Sequence, residues 1–293
     1  MLIPDSYKYD NGFPNTTPIH KRISKMGRKD KIKDTTHELK SLLISLQNLV
    51  KNGNLDRGMD ECKRLIKQEP LEPMPQNIYG VVLANLGRLD DAEIAFRKAV
   101  ELDSNYDEAW CNLGELLIVL NKASEAVQAL LTCVRLTPES IEYRYQLGRA
   151  LYNDGKKAQA LDAFNYVLSR SPEFVEAYIR VSEILLDNGN PREALKYQKE
   201  AVDIAPHRLQ LRIDLAKQFS NLGLRSAALE QLEEATKLEP NSFDAHFLSA
   251  EIYRKSNMYE ASISALDECL RIDPTNFDAA DIRNQILQEL ESE

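Results

Sequence analysis

The sequence has little of what chemistry is usually built from. Its four histidines (His20, His37, His207, His246) stand far apart, and its four cysteines (Cys62, Cys111, Cys133, Cys269) include no C-x-x-C pair. There is no phosphate loop, no G-x-G-x-x-G, no G-x-S-x-G and no H-E-x-x-H, since His37-Glu38 lacks its second histidine. The expectation is therefore a protein with no catalytic residues, no metal and no cofactor. Long apolar runs are missing as well. The longest unbroken aliphatic stretch, Leu116 to Leu120, falls far short of the roughly 20 residues of a membrane span. No apolar segment follows Met1, which predicts no secretory signal, reduced cysteines and a cytoplasmic protein.

Positive charge is in deficit. The net charge of −9 argues against a nucleic-acid surface, which needs a basic face. The deficit is uneven: residues 1–38 carry 8 Lys/Arg against 5 Asp/Glu, a balance of +3, which leaves −9 − 3 = −12 for the remainder. Aromatics are only 7%, whereas Ala, Leu and Glu are plentiful, which favours helices over sheets.

What is present is a period. Pro70, Pro138, Pro172, Pro206, Pro240 and Pro274 fall on one 34-residue grid whose single vacancy is Ser104. Counted from residue 39, the grid defines units 39–72, 73–106, 107–140, 141–174, 175–208, 209–242 and 243–276. Midway through each stands Gly53, Gly87, Asn121, Gly155, Gly189, Gly223 or Asn257, the residue types that tolerate the left-handed conformation ending a helix. Five residues on, every unit has a small residue: Gly58, Ala92, Ala126, Ala160, Ala194, Ala228, Ser262. The eighth place is small in Gly80, Gly114, Gly148, Ser182, Ala216 and Ala250. Large apolar residues complement it, at Leu83, Leu117, Leu151, Leu185, Phe219 and Tyr253 on first helices and Phe96, Leu130, Phe164, Leu232 and Leu266 on second helices. Gln198 breaks the last series, with Tyr197 beside it as a substitute. Proline ends each second helix, because it lacks the helix donor and disfavours helix in the residue before it. Each unit is thus expected to be two antiparallel helices joined by a short turn.

This period resembles the tetratricopeptide repeat. The third unit carries the likeness best, with Trp110, Leu113-Gly114, Leu117, Ala126, Leu130, Cys133 and Pro138 where that family favours Trp, Leu-Gly, Tyr, Ala, Phe, Ala and Pro. The first unit departs most, with Leu46 where a small residue is expected and Gly58 for alanine. The resemblance implies an all-α fold, a right-handed superhelical solenoid of antiparallel helix pairs whose first helices line a concave groove. In such an array each repeat touches only its neighbours. The expected organisation is a flexible basic arm over residues 1–34, seven repeats over 35–276 and a capping helix over 277–293. The arm carries seven Lys/Arg between Lys21 and Lys33, and reads as a solubilising leader or as a docking arm that meets an acidic partner or folds onto the acidic body. Thr35-x-x-Glu38 fits a capping box opening the first helix. The final helix is expected to turn Ile282, Ile286 and Leu290 inward.

The groove is where partner binding is expected. The ninth place of the period alternates in charge through Glu115, Arg149, Glu183, Lys217 and Glu251. First helices pack roughly 8–10 Å apart, so these groups either bridge neighbouring repeats as a salt-bridge ladder or grip a peptide. Asn112, Tyr145, Tyr152, Asn153, Arg180 and Asn221 share the expected inner face. Their amides, guanidinium and rings suit an extended peptide. The clamp by which some co-chaperones of this family hold an acidic chaperone tail is absent, because Glu142 and Gln146 stand where it needs Lys and Arg. The leading expectation is a non-enzymatic scaffold or adaptor for a protein or peptide, with no nucleic acid and no membrane insertion. The alternatives are an accessory subunit acting in trans with a glycosyl- or sulfotransferase, and an RNA-binding helical repeat.

Overall fold

The computed structural model describes residues 54–292, together with Asn48 and Asn52. The expected arm, the capping box at Thr35–Glu38 and most of the first helix of the 39–72 unit, with Leu46 and Gly53, lie outside the described residues.

Among the described residues are fourteen α-helices and no strand: α1 (Leu55–Gln68), α2 (Pro73–Asn85), α3 (Leu89–Leu102), α4 (Asp107–Val119), α5 (Ala123–Leu136), α6 (Ile141–Asn153), α7 (Lys157–Arg170), α8 (Val175–Asp187), α9 (Pro191–Ile204), α10 (Leu209–Asn221), α11 (Arg225–Leu238), α12 (Phe243–Arg254), α13 (Tyr259–Ile272) and α14 (Phe277–Ser292). The chain is an all-α array of helix pairs. It divides into two compact units, residues up to Ala163 and residues from Phe164 onward. Within the first unit α2 packs on α3, α4 on α5, and the first helices α2, α4 and α6 touch in succession. Within the second, α8 packs on α9, α10 on α11, α12 on α13, and α10 touches α12.

The turn between the helices of a pair repeats in atomic detail. Gly87, Asn121, Gly155, Gly189, Gly223 and Asn257 all have positive φ, between 57° and 76°. The residue after each donates its backbone N–H back to the carbonyl of Leu83, Leu117, Leu151, Leu185, Phe219 and Tyr253 respectively, at 2.8–2.9 Å. This is the Schellman arrangement, which satisfies carbonyls that the helix end would otherwise orphan. The same residues whose side chains fill the space between helices therefore close the turn with their backbone oxygens.

Small residues set the spacing. Ala92, Ala126, Ala160, Ala194, Ala228 and Ser262 are fully buried, and the Ser262 hydroxyl donates to the Ala250 carbonyl at 2.9 Å. A Cβ on Gly80 would lie 2.6 Å from the Phe96 ring, and one on Gly114 would overlap the Leu130 side chain. In the second unit Ala250, Leu266, Cys269, Ala279 and Ile286 form the last apolar cluster, with Ile282 packed against it. Leu290, expected inward, is exposed, because the cluster closes one turn earlier at Ile286.

Candidate functional site

The expected site residues fall in both units, and each group is best built up from its own helices. In the first unit Asn112 and Glu115 stand on α4, and Tyr145, Arg149, Tyr152 and Asn153 on the adjoining α6. Asn112 is buried and its amide is committed: Nδ2 donates to Asn77 Oδ1 at 2.9 Å, and Asn77 Nδ2 donates to the Tyr106 hydroxyl at 3.1 Å. Tyr145 is buried, Tyr152 and Arg149 are half-buried, and Asn153 at the end of α6 is exposed. Burial pushes the Glu115 carboxyl up to about 7, although the Cys111 thiol, 3.4 Å away, and the positive charge of Arg149 pull the other way.

In the second unit Arg180 and Glu183 lie on α8, Lys217 and Asn221 on α10. Glu183, Lys217 and Asn221 line one cavity of about 330 Å³, with Ile179, Leu186, Leu211 and Gln198 among its other walls. Three residues selected from the sequence thus converge on one opening.

The alternating column does not pair from helix to helix as a ladder would. Arg149, Glu183 and Lys217 make their polar contacts along their own helices, to the residue three places earlier. Glu115 instead takes the Cys111 thiol four places earlier and feels the Arg149 charge from α6. Arg149 Nη1 donates to Gln146 Oε1 at 2.7 Å, Arg180 pairs with Glu183 at 2.8 Å, and Lys217 lies 3.7 Å from Asp214. Residues three apart are neighbours on a helix surface, and such a pair orders fewer torsions than a bridge across two backbones. Gln146 and Asp214 are not among the expected groove residues, although Asn112 and Arg180, at the same place of the period, are. Ion pairs that do join successive repeats sit elsewhere. Glu93 holds Lys122 at 2.8 Å and Arg97 at 2.8 Å, and Arg97 reaches Glu125 at 2.5 Å.

A further column also escaped the sequence reading. Trp110 Nε1, Arg212 Nε and His246 Nε2 each donate to the backbone carbonyl six residues earlier, at Ser104, Pro206 and Pro240, over 2.9–3.0 Å. His246 is thereby a structural donor at the entry of α12. Cys111, Cys133 and Cys269 are buried free thiols, and no group of three or more His, Cys, Asp or Glu is placed to hold a metal among the described residues.

The recurrence of pair, left-handed turn and buried alanine through consecutive units decides the family. Models of the tetratricopeptide repeat match residues 46–107, 145–208 and 213–277, and a second such model matches 95–128. The chain belongs to the tetratricopeptide repeat family. Among solved structures it is similar to the C-terminal part of a TPR repeat-containing protein from Cytophaga hutchinsonii, with TM-score 0.67 and 16% identity over 82% of this chain and 98% of that one. It is also similar to a chain of the APC/C heterotetramer Cut9–Hcn1, with TM-score 0.59 and 16% identity over 87% of this chain and 50% of that one. At these identities the likeness is one of fold. A peroxisomal targeting signal receptor of Candida albicans is 33% identical over 73 residues, 25% of this chain and 12% of that protein. The chain thus spans about an eighth of that relative's length. No helix among the described residues is long and apolar enough to cross a membrane.

Proposed function

We propose that this tetratricopeptide repeat protein is a non-enzymatic scaffold that binds a peptide or protein segment on the exposed faces of its first helices. The observation that carries this reading is the convergence of Glu183, Lys217 and Asn221 on the cavity between α8 and α10. A purely structural column would bury its charges or pair them across repeats. Here Glu183 and Lys217 are balanced by Arg180 and Asp214 on their own helices, and all four side chains keep exposed surface open to a partner. Arg149, Tyr152 and Asn153 on α6 offer a similar mixture of guanidinium, ring and amide in the first unit. Such groups bind backbone amides and polar side chains through several modest contacts, each worth about 0.5–1.5 kcal/mol.

Capture of partners on the immobilised full chain, followed by affinity measurement with the captured protein, tests the proposal. Lys217→Ala combined with Asn221→Ala should weaken binding by about ten-fold or more, as should Arg149→Ala combined with Tyr152→Ala. Unchanged affinity in both double variants would place the binding surface elsewhere.

A further inference from the structure

One place on the second helices is large and apolar in Phe96, Leu130, Phe164, Leu232 and Leu266, and is glutamine in the 175–208 repeat. Phe96 and Leu130 lie against the glycines of their own first helices, Gly80 and Gly114. The facing residue in the 175–208 repeat is Ser182, buried, with its hydroxyl committed to the Ile179 carbonyl at 2.8 Å. Tyr197 does not take over the filling role. It packs on Tyr178, ring centroids 6.1 Å apart, and is not among the residues lining the cavity. Ser182 and Gln198 instead line the cavity of about 330 Å³, whose apolar walls are Ile179, Leu186, Ala201 and Leu211.

The charged groups around this cavity are paired within the fold. Glu183 is paired with Arg180 and Asp214 with Lys217, and Gln218 Nε2 donates to the Pro191 carbonyl at 3.1 Å. Gln198 Oε1, by contrast, is buried and has no hydrogen-bond partner. Buried acceptors are rarely left unpaired, and each exception calls for a physical reason. Turning the amide about its broad terminal torsion brings this oxygen to the cavity and carries Nε2 toward its former place. Gln198 Oε1 therefore lacks a donor, while the charged groups on the rim, Glu183, Asp214 and Lys217, are already paired. A lysine or arginine would disturb that balance, and a phenylalanine would leave the acceptor unmet. Indole supplies one N–H donor and no acceptor of its own, on a large apolar ring.

We propose that the cavity between α8 and α10 is a specificity pocket for a partner's tryptophan, its indole N–H bonded to Gln198. This rests on the reading of the first helices as the binding surface. Indole and 1-methylindole, titrated into the full chain and followed by the methyl NMR signals of Ile179, Leu186 and Leu211, probe the pocket directly. Indole should bind about five-fold or more tightly than its methylated analogue, the loss expected for one buried hydrogen bond. Gln198→Ala, which keeps the cavity and removes the acceptor, should abolish the preference. Gln198→Leu, which restores the residue type of the other repeats, should fill the cavity, lower the affinity for both probes and raise the melting temperature. Equal affinities in the wild type, no methyl shifts with either probe, or a preference that survives Gln198→Ala would overturn the proposal. If that happens while partner binding still depends on Lys217 and Asn221, only the pocket assignment falls. If indole discriminates but the partner ignores those two residues, the pocket stands and the groove reading falls.

Discussion

Glycine inside a helix ordinarily costs about 1 kcal/mol relative to alanine, yet Gly114 sits in the middle of α4 where an added Cβ would overlap Leu130. The clash falls on the branch point of a fully buried leucine, so the neighbour cannot swing aside. Gly114→Ala should therefore destabilise the protein by about 1–2 kcal/mol, overpacking outweighing the gain in helix propensity, read as a lower urea midpoint. Glu115, one residue on, makes a different prediction. Its carboxyl titrates near about 7 in the folded chain against an ordinary 4.5, because burial disfavours the charge. A carboxyl whose folded value is raised holds its proton more tightly in the fold. Its contribution is thus complete below about 4.5 and is lost as the pH rises to about 7. Glu115→Gln should remove that slope, so the variant gains stability relative to the wild type when urea midpoints at about pH 8 are compared with those at about pH 4.5.

At the scale of an element, the left-handed turn and the helix pair it joins form one device. Around Gly155 nothing lies within 4 Å of an added Cβ, while φ is +76°. Substitution there meets backbone strain and no clash. Gly155→Ala should cost about 1 kcal/mol or slightly more in thermal unfolding, and Gly155→Asn distinctly less, since Asn121 and Asn257 already hold this conformation. A variant in which alanine and asparagine cost the same would show that the turn is not strained. The alternation of glycine and asparagine in this column was legible in the sequence because the requirement is local: one residue's φ decides it. The pairing of the charged column was not. Whether Arg149 reaches a neighbouring helix or Gln146 on its own depends on the distance between backbones and on rotamers, neither of which a periodic pattern encodes.

For the molecule as a whole, stability in a repeat array accumulates from neighbour contacts. The last apolar cluster needs α14: Ile286 and Ala279 are fully buried against Leu266 and Cys269. Removing residues 277–293 should expose this cluster and loosen α12 and α13 before the rest of the second unit. Hydrogen exchange should then show protection falling first in residues 243–272 and least in the first unit. Uniform protection along the truncated chain would contradict a capping role for this helix.

The sequence by itself determined the period, the helix pair, the turn chemistry and the small-residue seams, because each follows from the conformational range or volume of single residues repeated at fixed spacing. It also marked Gln198 as a departure from the packing pattern. Only the tertiary structure decided what that departure does. Burial left Gln198 Oε1 without a partner, the helices around it enclosed a cavity, and intrahelical pairs consumed the charges on its rim. These outcomes depend on distances between successive helices and on rotamers, where small differences in packing settle which groups meet.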